Sequence, residues 1–237
     1  METIKIISTA NAGMLMELGE NRLLIDAFHS VRYDLYQPVS RELFAKIKAS
    51  PRFQDPNILF YTHCHPDHFC PEMTKEVSRL WPKTVTILPE PKADGILLSK
   101  TEETLSIGSL DLTFRRLTHE GEPYRTVPHY GVLIQKGPLT VLDPGDCELA
   151  SEELASFING RHIDIAVLNF VWLTLRKGRQ FVKEVIKPDH LLICHLPDPA
   201  LDVFGYKSAV EKRILSGFPG SDIRIIERPL QEETFTV

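Results

Sequence analysis

The sequence has little of what secreted, membrane-spanning or nucleic-acid-binding chains contain in abundance. Its four cysteines are too sparse for a disulfide scaffold. The longest nearly apolar run, residues 165–173, is interrupted by Asn169 and is far shorter than the ~20 residues of a transmembrane helix. The first residues lack the apolar segment of a signal peptide, and a net charge of -5 disfavours a dedicated nucleic-acid binder. We therefore expect a cytoplasmic protein with no membrane partner, and nucleic acid is disfavoured as a partner.

What the chain does contain is the composition of a globular domain. Hydrophobic residues make up 43% and charged residues 25% of the 237 positions. No stretch has the composition of a linker, so residues 1–237 are predicted to form a single domain. Strand-like segments such as 57–62 and 190–194 alternate with helical patterns such as 179–187. This alternation favours an α/β architecture.

Two stretches of the chain resemble each other. Residues 13–19 precede a short apolar strand ending at Asp26, and residues 131–137 precede one ending at Asp143. Both stretches contain a glycine, an apolar strand, a glycine turn and a second strand that ends in aspartate. Hairpins often share this pattern by chance, so duplication and coincidence both stand as explanations. If the duplication is real, a site could lie where the matching strand ends meet.

The clearest chemical signal is the sequence HCHPDH at residues 63–68, directly after the predicted strand. In extended backbone, residues two apart point to the same side, so His63, His65 and Asp67 can converge on one spot. His68 can approach the same spot as the chain turns into the next helix. Imidazole and carboxylate groups suit zinc, manganese or iron. This segment is therefore predicted to bind metal.

The segment resembles the HxHxDH signature of the metallo-β-lactamase superfamily, and the resemblance covers essentially the whole chain. It implies a four-layer αββα sandwich, with two mixed β-sheets face to face and helices outside, and a two-metal site at the sheet edges. It also implies three distant ligands. The candidates are His119 after the strand 110–117, Asp146 in the sequence DPGD, and His195 at the end of the strand 191–195.

The resemblance implies that one metal is held by His63, His65 and His119, a second by Asp67, His68 and His195, and that Asp146 bridges them. Asp143 is the rival candidate for the bridge. Because Asp143 matches Asp26 in the repeat, we interpret both as carboxylates that orient ligand imidazoles. His65 is not replaced by glutamate, as it is in the diiron oxygen-reducing relatives, which favours hydrolysis over redox chemistry.

This ligand set predicts a metal-dependent hydrolase. Two cations lower the pKa of a shared water toward ~7, and the resulting hydroxide can attack a carbonyl or phosphorus centre. Asp67 is the predicted catalytic residue, orienting the hydroxide and accepting its proton. Zinc is the expected metal, with manganese and iron as alternatives.

The compact length and the lack of an added domain look most like the small stand-alone hydrolases of the superfamily, similar to the ascorbate-6-phosphate lactonase group. We expect a small, anionic ester, lactone or phosphate-bearing substrate. One alternative is a phosphodiesterase or nuclease of the same superfamily. Another is a non-catalytic metal-binding protein.

Five further residues are candidates for the substrate pocket, namely His29, His129, Trp172, Arg176 and Lys177. Under the repeat His29 would lie near the pocket, and His129 could face it as a proton donor, with a structural role as the alternative for each. Arg176 and Lys177 are predicted in the loop after the strand 163–170, where they could clamp an anion beside the Trp172 ring. A solvated loop is the competing interpretation.

The segment 27–56 is long for a connection between two core strands, and it contains the aromatic residues Phe28, Tyr33, Tyr36 and Phe44. We expect it to cover one side of the pocket and to contribute to specificity. A helix packed on the outside of the protein is compatible with that role. The expected partner is a small molecule, and the sequence leaves assembly into a homo-oligomer open.

Overall fold

The computed structural model describes residues 2–30, 35–216 and 222–237, which form fourteen strands and six α-helices. The strands are β1 Thr3–Ser8, β2 Met14–Leu18, β3 Asn21–Ile25, β4 Ile58–Phe60, β5 Val85–Leu88, β6 Ile96–Leu97, β7 Glu102–Ile107, β8 Leu110–Arg116, β9 Tyr130–Lys136, β10 Leu139–Asp143, β11 Ile165–Asn169, β12 His190–Cys194, β13 Asp222–Ile225 and β14 Glu232–Thr236. The helices are α1 Arg41–Ala49, α2 Pro71–Leu80, α3 Glu152–Ile158, α4 Val171–Thr174, α5 Arg176–Phe181 and α6 Tyr206–Leu215. Helix α5 continues into a π-helical turn, Val182–Ile186. No helix in the described ranges is both long and apolar enough to cross a membrane.

The strands form two mixed sheets of seven strands each. The first has the order β14-β1-β2-β3-β4-β5-β6, and the second has the order β13-β12-β11-β10-β9-β8-β7. In the first sheet the antiparallel hairpin β2–β3 is followed by β4, which pairs in parallel with β3. In the second, the hairpin β9–β10 is followed by β11, which pairs in parallel with β10. Both sheets therefore contain the arrangement that the sequence repeat suggested.

Apolar side chains hold four layers together. Between the sheets, residues such as Ile25 and Val141 share one core, and the rings of Phe60 and Phe114 lie 4.9 Å apart across it. The outer face of the first sheet is covered by α1 and α2, and the outer face of the second by α3, α4 and the π-helical turn. Each sheet thus buries both faces, which confirms the predicted αββα sandwich.

Local sequence accounts for the helices that cover the first sheet. Helix α1 begins after Ser40, whose hydroxyl accepts a hydrogen bond from Leu43 N at 3.1 Å. Helix α2 begins at Pro71, a residue suited to the first helical position because its missing N–H would have no helical partner. The chain between β4 and α2, residues 62–70, is thereby held at the edge of the sheet.

Two predictions about the chain after β11 are wrong. Trp172 lies in α4 rather than in a loop and is fully buried, with its ring 5.8 Å from that of Phe181. Arg176 and Lys177 begin α5 instead of continuing a loop. Helices α4 and α5 pack closely against each other at Gly178, where a Cβ would lie 2.7 Å from the carbonyl oxygen of Trp172. This close packing leaves no room for an open loop. Trp172 therefore belongs to the core and cannot form a pocket wall.

Candidate metal centre

The strands that pair in parallel place their carboxyl ends at one edge of the sandwich. In α/β proteins this is where ligands usually bind. The residues found at or just after these ends are Asp26 after β3, the segment 62–68 after β4, Asp143 and Asp146 at β10, Asn169 at β11 and His195 after β12. The two halves of the chain therefore contribute to one site.

Three histidines form the first group, which we define as His63, His65 and His119. One nitrogen from each lies within 4.8 Å of the others, and His63 Nε2 is 3.4 Å from His119 Nε2. The bridge between His119 and Cys147 holds the chain after β8 against the site, and His119 Nδ1 lies 2.7 Å from the carbonyl oxygen of Glu120. The Nε2 atom of His119 is therefore the one that faces the group.

The second group consists of Asp67, His68, Asp146 and His195. His68 Nε2 lies 3.0 Å from His195 Nε2. Asp146 Oδ2 lies 3.2 Å from His68 Nε2 and 3.3 Å from His195 Nε2. Asp67 Oδ2 lies 3.4 Å from His195 Nε2 and 3.7 Å from His68 Nε2. Four donor atoms from both halves of the chain therefore face one point.

These donor sets fit divalent transition metals. Nitrogen ligands ~2.0–2.1 Å from a tetrahedral zinc lie about 3.3 Å apart, close to the spacings in both groups. The groups adjoin, because the ring centroids of His63 and His68 are 4.0 Å apart. The contacts of Asp146 Oδ2 are with the second group, while its Oδ1 accepts a hydrogen bond from Asn169 Nδ2 at 2.9 Å. The bridging role of Asp146 stays a prediction.

Solved structures with the same arrangement of layers identify the fold. The metallo-β-lactamase fold protein YhfI from Bacillus subtilis superposes with a TM-score of 0.69 at 14% identity, covering 99% of this chain and 100% of that chain. This chain has the metallo-β-lactamase fold. The resemblance seen in the sequence is thus confirmed at the level of the fold. No protein-family model and no curated protein matches the chain.

Two other proteins with the metallo-β-lactamase fold differ in their chemistry. The isothiocyanate hydrolase from Delia radicum gut bacteria has a TM-score of 0.67 at 14% identity, covering 99% of this chain and 98% of that chain. CmlA, a diiron β-hydroxylase from Streptomyces venezuelae, also has a TM-score of 0.67 at 14% identity, and the match covers 100% of this chain and 54% of that chain. The fold alone therefore does not decide between hydrolysis and oxidation.

The two groups differ in their protonation. Burial lowers the pKa of His68, but the carboxylates of Asp67, Asp26 and Asp146 outweigh burial and raise it well above its usual value. Burial likewise lowers the pKa of His195, and Asp146 raises it to about 9. In the metal-free protein the carboxylates therefore favour proton binding by this pair of imidazoles. A cation bound by the second group would compete with that protonation.

Two histidines of the first group favour the neutral form. Burial, followed by the charge of His68, holds the pKa of His63 well below its usual range. Burial and the neighbouring His119 lower the pKa of His65 to about 4. Neutral imidazoles are the form that binds metal, so these two histidines need to release no proton on binding.

Asp26 orients His68 from behind the site. Its Oδ2 lies 2.8 Å from His68 Nδ1, and the carboxylate also accepts hydrogen bonds from Thr62 N at 2.8 Å and Thr62 Oγ1 at 2.6 Å. Because Nδ1–H donates to Asp26, Nε2 is the atom of His68 that is available to a cation. This is the geometry expected of a carboxylate that orients a ligand imidazole.

Asp143, the counterpart of Asp26 in the repeat, lies differently. Its Oδ1 accepts a hydrogen bond from Gly145 N at 3.0 Å, which shapes the turn leading to Asp146. Burial, followed by the charge of Asp26, raises the pKa of Asp143 to about 7. No hydrogen bond to a ligand imidazole is found for it among the described residues. The structure therefore does not bring Asp143 against a ligand as the repeat suggested.

His29 and His129 are buried behind the site rather than facing its pocket. His29 Nε2 lies 3.3 Å from the carbonyl oxygen of Ala10, and His129 Nδ1 lies 3.2 Å from that of Leu117. Burial lowers the pKa of His29 to about 4 and that of His129 to about 3. His129 packs 5.3 Å from the ring of His63. Both are neutral histidines that support the site from inside the protein.

A cavity of about 220 Å³ opens beside the two groups. Tyr36 and Tyr124 form part of its wall, with ring centroids 4.1 Å from His195 and 5.0 Å from His65. Phe170 and Val171 continue the wall, and none of the described lining residues is lysine or arginine. Tyr36 belongs to the segment 27–56, which therefore contributes to the pocket as predicted, while Tyr33 lies outside the described residues.

Arg176 and Lys177 line another cavity, of about 480 Å³, together with Ala150 and Gln180. The structure brings neither Arg176 nor Lys177 to the cavity beside the histidines, so the predicted anion clamp is not found there. The sequence did not predict two residues of the metal centre, Asn11 and Asn169, whose amides contact the second group. For Asn169 a signal was present, since it is the one polar residue in the apolar run 165–173.

Proposed function

We propose that this chain is a metal-dependent hydrolase with a dinuclear site, with zinc first among the candidate metals and manganese and iron as alternatives. The supporting observation is that the seven predicted donor side chains, four from residues 63–68 and three from distant positions, converge at one edge of the sandwich. The three histidines of the first group would hold one cation, the second group would hold the other, and Asp146 is the proposed bridge. Two such cations would supply hydroxide at neutral pH and polarise the bond under attack.

Asp67 is the proposed catalytic residue. It lines the cavity, and its carboxylate lies 3.4 Å from His195 Nε2. Burial raises the pKa of Asp67, but His68 and His195 outweigh it and lower the pKa to about 2. The carboxylate is therefore ionised at neutral pH, so it can orient an attacking water by accepting its hydrogen bond. That it also takes the proton of this water is part of the same proposal.

The proposed substrate is a small ester, lactone or phosphate-bearing molecule. A cavity of about 220 Å³ limits its size. An anionic reacting group would be attracted by the cations themselves, since Arg176 and Lys177 line a different cavity. The remainder of the substrate would contact the aromatic wall formed by Tyr36, Tyr124 and Phe170. A single domain over residues 1–237 and a cytoplasmic location are part of the same proposal.

Metal reconstitution followed by a substrate panel tests this function. The metal-free protein is loaded with zinc, manganese or iron, its metal content is measured by elemental analysis, and hydrolysis of lactones, phosphodiesters and thioesters is assayed. We expect two ions per chain and hydrolysis that is lost in His65→Ala and in His195→Ala. The matched control for hydrolysis is His162→Ala, because His162 is exposed and pairs with Asp189 away from the site.

Each outcome of that experiment has a defined meaning. A ceiling of one ion per chain would contradict the dinuclear mechanism, and no bound metal would contradict the site. Two ions without hydrolysis of any panel member would favour a metal-binding protein without this activity. Turnover of phosphodiesters alone would favour the phosphodiesterase alternative.

A further inference from the structure

Two asparagine side chains contact the carboxylates of the second group. Asn11 lies in the loop between β1 and β2, and Asn169 is the last residue of β11, so they approach from different sheets. Each donates through its Nδ2 atom to one of the two aspartates. By contrast, two histidines of the first group have other partners: Thr62 Oγ1 lies 3.0 Å from His63 Nδ1, and the backbone oxygen of Glu120 lies 2.7 Å from His119 Nδ1.

Asn11 connects two residues that are distant in sequence. Its Nδ2 lies 3.1 Å from Asp67 O, 3.4 Å from Asp67 Oδ2 and 3.5 Å from His195 Nε2. The backbone carbonyl oxygen of Asn11 accepts a hydrogen bond from the backbone N–H of His195 at 3.4 Å. Asn11 and His195 have φ angles of 52° and 58°, in the left-handed region that residues other than glycine seldom adopt. Strain of this kind persists where the surroundings hold it in place, and it clusters at functional sites.

Asn169 holds the other aspartate in one orientation. Its Nδ2 donates to Asp146 Oδ1 at 2.9 Å, which leaves Asp146 Oδ2 directed at His68 and His195. In the described part of the chain the Oδ1 atoms of both asparagines are buried without a hydrogen-bond partner. Burying an amide oxygen in this way is unfavourable. A position that served only packing would be better filled by an apolar residue.

We infer that Asn11 and Asn169 are positioning residues that set the cation affinity of the second group and affect that of the first group less. They act by fixing the orientation of Asp67 and Asp146, two carboxylates whose like charges oppose their close approach. This inference rests on the proposed function, because it requires that both groups bind cations. Neither asparagine is assigned a direct contact with a cation.

Zinc competition against a chromophoric chelator tests the inference, because it can resolve two dissociation constants. In Asn11→Gly the backbone keeps its left-handed conformation and only the side chain is lost. Asn169→Ala removes the second donor. His195→Ala identifies the zinc of the second group, because it should abolish the binding of that ion. We expect the affinity for this zinc to fall about 10–100-fold in each asparagine variant, as is usual for residues that orient metal ligands. The zinc that His65→Ala abolishes should keep its affinity in Asn11→Gly. In Asn169→Ala it should lose less affinity than the zinc of the second group, since Asn169 contacts Asp146, the proposed bridge.

A matched control is Asn21→Ala. Asn21 is buried and donates through Nδ2 to Leu18 O at 3.2 Å and to Ser109 Oγ at 2.9 Å, at the opposite end of β3 from the site. Both zinc affinities should match those of the parent. This control separates loss of a buried amide in general from loss of the two at the site.

The isosteric variants Asn11→Asp and Asn169→Asp examine the donor role itself. Each keeps the shape of the side chain but replaces the N–H donor with an oxygen beside a carboxylate, so the affinity of the second group should fall at least as far as in the truncated variants. Tighter zinc binding in the Asp variants would show that these positions act as ligands and would overturn the inference. An equal affinity in parent and variants, or an equal loss at both groups, would overturn it too. If the parent binds none of zinc, manganese and iron, it is the proposed function that fails.

Discussion

Replacing Asp26 with asparagine should weaken the site without touching any proposed ligand. Asp26 is 2% exposed, and its carboxylate accepts hydrogen bonds from His68 Nδ1 and from the backbone and hydroxyl of Thr62. In Asp26→Asn the amide oxygen can still accept from Thr62 N, but the amide NH₂ faces His68. Two donors would then oppose each other unless the imidazole moves its proton to Nε2. That tautomer directs an N–H, rather than a lone pair, at the second group.

The expected magnitudes follow from these contacts. Loss of a residue that orients a metal ligand reduces metal affinity by ~10–100-fold, which corresponds to about 1.4–2.8 kcal/mol. Removing one partner of a buried charged pair costs roughly 3–5 kcal/mol of folding stability. We expect the lower end, because one of the three hydrogen bonds survives. A loss of about 3 kcal/mol in a domain of this size lowers Tm by roughly 6–12 °C.

Two measurements on the same samples check this prediction. Zinc competition gives the affinity of the second group, and thermal unfolding of the metal-free protein gives Tm. The matched control is Asp143→Asn, because the pKa of Asp143 is raised to about 7 by burial and by the charge of Asp26. Burial and the charge of Asp26 therefore favour the protonated form of Asp143, and an amide oxygen can still accept from Gly145 N. Small changes are expected for this control.

An unchanged zinc affinity in Asp26→Asn would refute the reasoning. It would mean that packing alone holds the His68 ring in place. A fall in Tm with no fall in zinc affinity would also mean that Asp26 does not orient His68 for metal binding. The hydrogen bonds of Asp26 would then contribute to folding stability alone.

Two further predictions concern buried groups. Asp146→Asn should weaken zinc binding by both groups and reduce hydrolysis far more than Asp143→Asn, and a larger effect of Asp143→Asn in either assay would show that the bridge is misassigned. Burial lowers the pKa of His29 to about 4, so the unfolded chain binds a proton that the folded chain excludes, and stability falls as the pH drops from 6.5 toward 4 by on the order of 3 kcal/mol. His29→Gln should remove this part of the pH dependence in denaturant unfolding of the metal-free protein, and an identical slope in parent and variant would contradict the assignment.

The sequence predicted the central part of the site because its signal is local. HCHPDH follows an apolar strand, and the alternation of side chains brings His63 and His65 together without knowledge of the rest of the fold. The prediction that Asp67 joins them by the same alternation is wrong, because residues 66–68 form a turn and Asp67 belongs to the second group. His119, Asp146 and His195 lie on other strands, and only the resemblance to a known family suggested that they join the same site. The structure brings them within contact distance.

Other features could not be recognised from local pattern. The run 165–173 is apolar throughout except at Asn169, and the predicted strand extended to Phe170, whereas β11 ends at Asn169 and the chain turns at once into α4. Periodicity cannot distinguish a buried strand from a buried helix in so short a run. The role of Asn11 depends on a left-handed backbone and on a partner far along the chain, neither of which the neighbouring residues indicate.

Some features were readable but not predicted. Helix α3 carries its own start signal, with Ser151 accepting a hydrogen bond from Leu154 N at 3.2 Å and two glutamates in the first turn. Strand β14 has a largely polar sequence, EETFT, because it lies at the edge of the first sheet and only Phe235 is buried. A half-exposed edge strand lacks the apolar run on which strand recognition depends.

The contact between His68 and His195 also bears on the stability of the fold. The two residues lie 127 positions apart in the chain, and their Nε2 atoms meet at 3.0 Å where the two sheets come together. A ligand that binds only when both sheets are in place behaves as a reversible cross-link, and at one hundred times its dissociation constant it stabilises the folded state by about 2.7 kcal/mol. The proposed metal ligands His68 and His195 would therefore link the two halves of the protein whenever a cation is bound. The concentration of free metal would then affect the free energy of unfolding as well as the activity.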